Sequence, residues 1–485
     1  MKTRISLCLA IFGLVAANQI SLGMAAPVPK VGTACPQYRA EANNQNTYFL
    51  CDKKGSRLVW TKVSKSVFDK YGPNAPKSDG FSAQQFVTQP CNKIDEETTK
   101  SFWIFICRQG TAADLKAGPH WAIKKMVANS TAPIPIKLPV SAVPGSLTFD
   151  TLNNDPDAVY TSAYNQVQNL IANSSSASAF TKVYTGPNTP NVLSQGSWTD
   201  AYNYPLKMFN GFTLPNDIQA VVYNFSDVDW ATKQLDSLPQ TPPHFDELPK
   251  AKCSSPTNCG AGNQGFVSFK GNTRYSIGHY SLAENALQDP YFTSGGIAIH
   301  ELTHAIQGTQ FFNGSQSNDG NFDLTNLVPC WLIEGQANYN AIAAPYKSFS
   351  DYKTQMQKMY QGQATTFLKD SSPAHINTLF QNSLPTPQCH DAIDRLGPNN
   401  PYRLGYSVGM FAVQALTAVG GIQSVLALST KMAQGFTFPE AFKAVYNYDW
   451  DKASLIISTL ISKQTSNFNL GYPPGPTINL DGSSS

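Results

Sequence analysis

Charged side chains are scarce in this sequence. Asp, Glu, Lys and Arg make up 14% of its 485 residues, and the formal net charge at pH 7 is only +3. No run of Lys or Arg is long enough to form a strongly basic surface. The composition therefore argues against a nucleic-acid partner and against attachment to an anionic membrane through basic residues.

Long apolar runs are absent beyond the first 26 residues, MKTRISLCLAIFGLVAANQISLGMAA. That segment begins with Lys2 and Arg4, continues with an apolar core from Ile5 to Ala17, and ends in small residues. Its core is shorter than the roughly 20 residues that a membrane span needs. We therefore predict a cleaved signal peptide at 1–26 and a secreted, soluble protein without a membrane span.

Cysteine, by contrast, is plentiful. Removal of the signal peptide takes Cys8 away and leaves an even number, Cys35, Cys51, Cys91, Cys107, Cys253, Cys259, Cys330 and Cys389. An even count behind an export signal is typical of a disulfide-bonded protein in an oxidising compartment. The spacings favour four disulfides between neighbours along the chain.

The sequence repeats one cysteine spacing near its beginning. Cys35 and Cys51 are as far apart as Cys91 and Cys107, and each second cysteine follows an apolar run and precedes a tryptophan. This pattern predicts two small disulfide-stapled β modules, at 27–72 and 81–128. Two roles fit such modules: a stapled spacer, or attachment to a cell surface or polymer. As separate modules, they should be dispensable for the folding of the rest.

The remaining chain predicts one larger domain. Residues 129–148 contain four prolines and are typical of an extended linker. Strand and helix signals alternate from there to about residue 290, and helical periodicity dominates afterwards. We therefore predict an α+β catalytic domain at 149–465, mixed in its first half and mostly helical in its second, followed by a flexible Pro-, Gly- and Ser-rich tail at 466–485.

The stretch SGGIAIHELTHAIQG carries the strongest chemical signal. In a helix, His300 and His304 lie one turn apart and only about 40° apart around the axis, so both imidazoles can reach one metal ion. Glu301 lies beside them, where it can approach water at the metal without being a ligand. The opposite face of this helix is apolar, which indicates that it is buried; it consists of Ala298, Ile299, Leu302, Ala305 and Ile306.

A catalytic zinc site ordinarily has three protein ligands, so one more is needed. The stretch PCWLIEGQANYNAIAAP predicts a helix between Pro329 and Pro345. In that helix Glu334 shares a face with small residues, which would let the two helices approach closely. We predict Glu334 as the third ligand; His390 and Asp391, in a turn-rich stretch, are the alternatives.

These motifs together resemble the gluzincin group of zinc metallopeptidases. HELTH is followed by WLIEGQANY, and the resemblance extends over about 217–448, including the later stretches YRLGYSVGMFAVQAL and FPEAFKAVYN. It does not cover the two front modules. The resemblance implies peptide or protein substrates and one catalytic Zn²⁺ held by His300, His304 and Glu334.

The resemblance also implies roles for other residues. Glu301 would act as general base on a zinc-activated water, and a tyrosine from a later helix would stabilise the oxyanion; Tyr406 is the preferred candidate and Tyr402 the alternative. Many members have an acidic residue where this chain has Asn338. An amide there can still accept a hydrogen bond from a ligand histidine, but it raises the basicity of that histidine less.

Two further features lie around the predicted second helix. The stretch NGSQSNDGNFDLTN contains Asp319 and Asp323, which could bind Ca²⁺, but it lacks the EF-hand pattern and also fits a solvated loop. Cys330 begins the Glu334 helix, and a disulfide to Cys389 would fix that helix in place.

The sequence thus predicts an exported zinc-dependent peptidase. The alternative is a secreted polymer- or surface-binding protein built on a catalytically degenerate metallopeptidase scaffold. The intact Glu301 argues against that alternative, because a scaffold needs no general base.

Overall fold

The structure is a computed structural model, and it describes residues 30–34, 41–44, 47–54, 57–63, 86, 89–100, 103–109, 118–128, 130–141, 146–194, 196–238, 241, 247–259, 261–270, 273–284, 288–311, 327–368, 371–382, 404–466 and 468. The chain divides into two compact units, Met1–Ala75 and Pro76–Ser485. The second predicted module therefore lies in the same unit as the predicted catalytic domain. The predicted signal peptide lies outside the described residues.

The first unit contains a three-stranded antiparallel sheet. Its strands follow one another in space as in sequence: β1 (Glu41–Asn44), β2 (Thr47–Lys54) and β3 (Arg57–Val63). Cys51 on β2 lies opposite Trp60 on β3. Cys35, the predicted disulfide partner of Cys51, lies outside the described residues.

The second unit begins with a sheet of the same design, made of β4 (Glu97–Lys100), β5 (Trp103–Gln109) and β6 (Pro119–Met126). Cys107 lies opposite Trp121 in this sheet, which repeats the pairing of Cys51 with Trp60. The predicted disulfide between Cys91 and Cys107 is present. The internal repeat therefore extends from the sequence to the register of the strands.

This second copy is not an isolated module within its unit. Alternate residues of β5 are buried, and Trp103, Phe105, Ile123 and Met126 belong to the main hydrophobic core of the unit. Residues 130–141, in the predicted linker, are also held to the body: the Ser130 hydroxyl donates to the Gln310 carbonyl oxygen. Where it is described, the segment from Asn129 to Thr148 contains neither helix nor strand, and it is not free of the body.

The main sheet has four strands in the order β7, β8, β10, β9. They span Phe180–Thr185 (β7), Asp217–Asn224 (β8), Ala261–Lys270 (β9) and Thr273–Leu282 (β10). β8 pairs in parallel with β7 and β10, and β10 pairs antiparallel with β9. β7 and β9 are therefore the two edge strands of the sheet. The predicted disulfide between Cys253 and Cys259 closes the loop before it.

Four helices accompany this sheet: α1 (Pro156–Asn173), α2 (Trp198–Met208), α3 (Val228–Ser237) and α4 (Leu248–Lys252). Local signals explain the start of α1, where the Asp155 side chain accepts hydrogen bonds from the backbone N–H groups of Asp157 and Ala158. Pro156 fits the first helical position because the N–H that proline lacks would have no partner within the helix there.

Every described element after residue 282 is helical, as predicted for the second half of the domain. The helices are α5 (Pro290–Thr293), α6 (Gly296–Thr309), α7 (Cys330–Ala343), α8 (Phe349–Phe367), α9 (Pro373–Asn382), α10 (Met410–Gly420), α11 (Ile422–Ala433), α12 (Phe438–Tyr446) and α13 (Trp450–Ser466). A π-helical turn, Gly405–Gly409, precedes α10 and is called the π segment below. Among the described helices, none is by itself long and apolar enough to cross a membrane. Only the combination of the π segment and α10 with α11 is long and apolar enough, and the two parts meet at a bend of 105°.

Candidate metal centre

Helix α6 carries the HELTH motif through the middle of the second unit. Its predicted apolar stripe is buried without exception: Ala298, Ile299, Leu302, Ala305 and Ile306 are all 0% exposed. The helix begins at a left-handed residue, Gly295, with φ of +80°. A Cβ at this glycine would come within 2.8 Å of the Ala201 side chain on α2, so the turn needs glycine for both its conformation and its packing.

Helix α7 lies beside α6 and is buried along its whole length. Its close approach to the π segment depends on two glycines that face each other. A Cβ on Gly335 would overlap the backbone of Gly409, and a Cβ on Gly409 would overlap the backbone of Trp331. Gly335, which follows Glu334 in the sequence, therefore lets the backbone of α7 contact the backbone of the π segment next to this predicted ligand.

The structure brings the three predicted ligands together. The Nε2 atoms of His300 and His304 are 3.0 Å apart, and each lies 3.4 Å from Oε2 of Glu334. Zinc bonds of about 2.0–2.1 Å meeting at a tetrahedral angle separate their donor atoms by roughly 3.3–3.4 Å. The three side chains thus already have the spacing of ligands around one small metal ion, and they form the one such His, Cys, Asp or Glu cluster among the described residues.

Hydrogen bonds orient both imidazoles. Nδ1 of His300 donates to Oδ1 of Asn338 at 2.9 Å, and Nδ1 of His304 donates to Oε1 of Gln307 at 3.0 Å. An amide oxygen can only accept, so Nδ1 of each ring carries a proton. Both rings therefore direct Nε2, the nitrogen that can bind a metal, towards the Glu334 carboxylate.

The electrostatics of the cluster favour a positive charge between its donor atoms. Burial disfavours the charged form of His304, but the Glu334 carboxylate and its hydrogen bond outweigh burial and raise the pKa of His304 to about 9. Burial likewise raises the pKa of Glu334, but the two imidazoles prevail and hold its pKa well below its usual range. The residues present can therefore hold a metal ion, since such an ion places positive charge at the same point.

Glu301 lies next to the cluster but outside it. It is partly exposed, and among the described residues it is not part of the three-residue group. Its side chain faces the edge strand β9, because a Cβ built on Gly262 of that strand would come within 3.1 Å of Cγ of Glu301. Glu301 therefore lies between the HELTH helix and that strand.

Tyr406 comes to the centre from the π segment. Its ring lies parallel to that of His300, at 1° between the planes and 5.6 Å between the centroids. Its carbonyl oxygen accepts a hydrogen bond of 2.9 Å from Nδ2 of Asn338. The structure thus places this predicted residue beside one ligand, while its alternative, Tyr402, lies outside the described residues.

Several other sequence predictions fall outside the described residues. They are the alternative ligands His390 and Asp391, the calcium candidates Asp319 and Asp323, and Cys389. Cys330 itself is disulfide-bonded, but the identity of its partner as Cys389 stays a prediction.

Sequence reasoning missed two residues at the centre. Gln307 follows His304 by three positions, which is one helical turn, so helical spacing could have identified it. Tyr291 donates its hydroxyl to Oδ1 of Asn338 at 3.3 Å, and its pKa is raised by burial and then by the charges of Glu301 and Glu334. No sequence signal connects Tyr291 with Asn338, because the contact depends on the packing of α5 against α7.

A further buried histidine lies away from the centre. His279 on β10 is 0% exposed, and the Tyr223 hydroxyl lies 3.0 Å from its Nδ1. Burial, together with the charge of Lys252, lowers the pKa of His279 to about 3. This imidazole is therefore neutral in the folded protein and belongs to the packing of β8 and β10.

Comparison with known proteins adds no relative to this picture. No protein-family model, no curated protein and no solved structure matches the chain. The features that indicate a metal centre are therefore the spacing of the three side chains, the orientation of both imidazoles and the charge of the site.

Proposed function

We propose that this chain is an exported zinc-dependent peptidase of the gluzincin type. The observation that carries the proposal is the cluster of His300, His304 and Glu334, whose donor atoms lie 3.0–3.4 Å apart, with Glu301 adjacent to the first ligand in sequence. A purely structural cluster would have no need of a carboxylate at that position. The disulfides Cys91–Cys107 and Cys253–Cys259 indicate an oxidising compartment, which agrees with export.

Zinc is the metal that suits this donor set. Two imidazole nitrogens and one carboxylate oxygen are a common set of protein ligands in catalytic zinc sites, which leave a fourth position open. The side chain of His304 is 19% exposed, whereas those of His300 and Glu334 are 3% and 2% exposed. A substrate would therefore reach the three side chains from the His304 side.

When bound, zinc would supply a Lewis acid that polarises the scissile carbonyl and makes water a better nucleophile near neutral pH. Glu301 would take the proton from the attacking water and deliver it to the leaving nitrogen. Its partly exposed position beside the cluster suits a group that must reach both water and substrate. Tyr406, stacked beside His300, is the proposed donor to the developing oxyanion.

The main sheet offers a place for an extended peptide. β9 is one of its two edge strands, and Gly262 on that strand packs against Glu301. A peptide that pairs with an outer strand gains main-chain hydrogen bonds that do not depend on its sequence. Such pairing would bring a peptide bond to Glu301 and is the reason for proposing peptides rather than small esters as substrates.

The test is metal analysis combined with a peptide-library digest of the purified, disulfide-bonded protein. We expect about one equivalent of zinc, cleavage that a chelator abolishes, and recovery when zinc is restored. The chelator-treated protein is the control for a contaminating protease of another class. Tight binding of one zinc with no cleavage of any peptide would contradict the proposal and favour the surface-binding alternative.

A further inference from the structure

Each ligand histidine has its own amide partner: Asn338 accepts from His300, and Gln307 accepts from His304. Both partners are neutral amides, and both are 1% exposed. A carboxylate in the same place would make a stronger acceptor for the imidazole and raise its basicity. Basicity alone therefore does not account for amides at both positions, and the contacts of the amide nitrogen atoms matter as well.

Each amide nitrogen donates to a main-chain carbonyl at the centre. Nδ2 of Asn338 donates to the carbonyl oxygen of Tyr406 at 2.9 Å. Nε2 of Gln307 donates to the carbonyl oxygen of Ile333 at 3.1 Å, and Ile333 directly precedes the ligand Glu334. These donations also define which end of each amide is oxygen, because a carbonyl can only accept.

A carboxylate cannot make these contacts. It would accept from the imidazole at one oxygen, but its second oxygen would face a carbonyl oxygen with no proton between them, and the hydrogen bond from the amide N–H to that carbonyl would be lost. Gln307 has a further partner, since its Nε2 also donates to Oε1 of Gln336 at 2.9 Å. The amide is therefore required by its two-sided contact, whatever its effect on the basicity of the histidine.

We propose that Asn338 and Gln307 are positioning residues that act as amide bridges, each connecting one ligand histidine on α6 with the backbone beside another residue of the centre. The Gln307 bridge fixes His304 relative to Glu334, and the Asn338 bridge fixes His300 relative to Tyr406. This inference rests on the metal centre of the proposed function. Because the bridges connect α6 with α7 and the π segment, metal affinity depends on how these three elements are arranged.

The experiment compares Gln307→Glu and Asn338→Asp with the wild-type protein. If basicity were the controlling factor, both changes would tighten zinc binding. If bridging is the controlling factor, both should weaken it, by about 10–100-fold, the range found for partners of metal ligands. The affinity for Zn²⁺ alone is measured by competition with a chelator, and the visible spectrum of the Co²⁺ form reports the ligand geometry.

Gln310→Glu is the matched control. Gln310 lies on the same helical stretch, is 0% exposed, and donates its Nε2 to the carbonyl oxygen of Thr213, but its Oε1 accepts from the Thr430 hydroxyl and not from an imidazole. We expect its zinc affinity to stay within about threefold of wild type, well short of the 10–100-fold loss at a metal-ligand partner. Tighter binding by Gln307→Glu or Asn338→Asp would overturn the inference, as would an equal loss in Gln310→Glu.

A milder variant covers the case in which Gln307→Glu does not fold. Gln336→Met removes one acceptor of the Gln307 amide and leaves His304 and Glu334 in place, so zinc affinity should fall, but less than in Asn338→Asp. Wild-type affinity in both of these variants would overturn the inference. Because no readout uses a peptide, a protein that follows these expectations but cleaves nothing contradicts the proposed peptidase activity alone.

Discussion

Gly409→Ala should damage the metal centre without touching any ligand. A Cβ on this glycine would lie 2.9 Å from Cα and 3.0 Å from the carbonyl carbon of Trp331, and closer still to its carbonyl oxygen. Ordinary carbon contacts begin at about 3.5 Å. The π segment and α7 must therefore separate by about 0.5 Å or more, and Glu334, one turn along α7 from Trp331, must move with them.

The cost follows from that displacement. Overpacking of this kind destabilises a protein by about 1–3 kcal/mol, which corresponds to a fall in Tm of roughly 1–3 °C for a chain of this size. The displacement should also weaken zinc binding, because Glu334 no longer lies at ligand distance from both imidazoles. Turnover should fall by up to about 100-fold, the effect of misplacing a catalytic group by around 1 Å.

The assay measures Tm with and without zinc, zinc affinity by chelator competition, and peptide cleavage. Gly362→Ala is the control, because a Cβ at that helical glycine meets nothing within 4 Å; it should leave zinc affinity unchanged and stabilise the protein by about 0.5–1 kcal/mol. Wild-type Tm and zinc affinity in Gly409→Ala would refute the reasoning that the two backbones must touch.

Four further outcomes are expected. Glu301→Gln should keep its zinc and lose at least about 10²-fold in turnover; loss of the metal, or near wild-type cleavage, would contradict the role of Glu301. Glu334→Ala should lose most of its zinc, because two imidazoles rarely hold it tightly; full metal content would indicate another ligand. Because the pKa of His279 is lowered in the folded protein, the unfolded chain takes up the proton at a higher pH. This residue should therefore make the free energy of unfolding fall as the pH drops from about 6.5 towards 3, by at most about 1.4 kcal/mol per pH unit. In urea unfolding, His279→Phe should show a weaker dependence of stability on pH, and an unchanged pH dependence would exclude the histidine as its source. A chain that begins at Pro76 should fold and keep its zinc, whereas one that begins at Ala132 should have a lower Tm, since it lacks the second stapled sheet; equal Tm values would show that this sheet adds nothing to the core.

The sequence was sufficient where the information is local. Helical spacing placed His300 and His304 on one face, and the observed helix, Gly296–Thr309, includes both. The prolines at positions 329 and 345 bounded the second helix, observed at Cys330–Ala343. Within it, small neighbours correctly indicated that Glu334 would approach the histidines. Each of these inferences uses residues within a few turns of one another.

What the sequence could not provide depends on contacts between distant segments. The hydrogen bond from Asn338 to the Tyr406 backbone joins residues whose relation follows only from the packing of α7 against the π segment. The same holds for the segment at 130–141, whose prolines predicted an extended chain but whose partner at Gln310 lies far along the sequence.

The repeated stapled sheet has a consequence for how the chain can be altered. Both copies place a phenylalanine two positions before the second cysteine, but Phe49 lies opposite Lys62, whereas Phe105 lies opposite Ile123. Lys62 is exposed, and Ile123 is buried in the core of the second unit. At the same register position, the first copy therefore carries a solvent-exposed charge and the second an apolar core residue, so exchanging these two residues between the copies would bury a lysine in the core of the second unit.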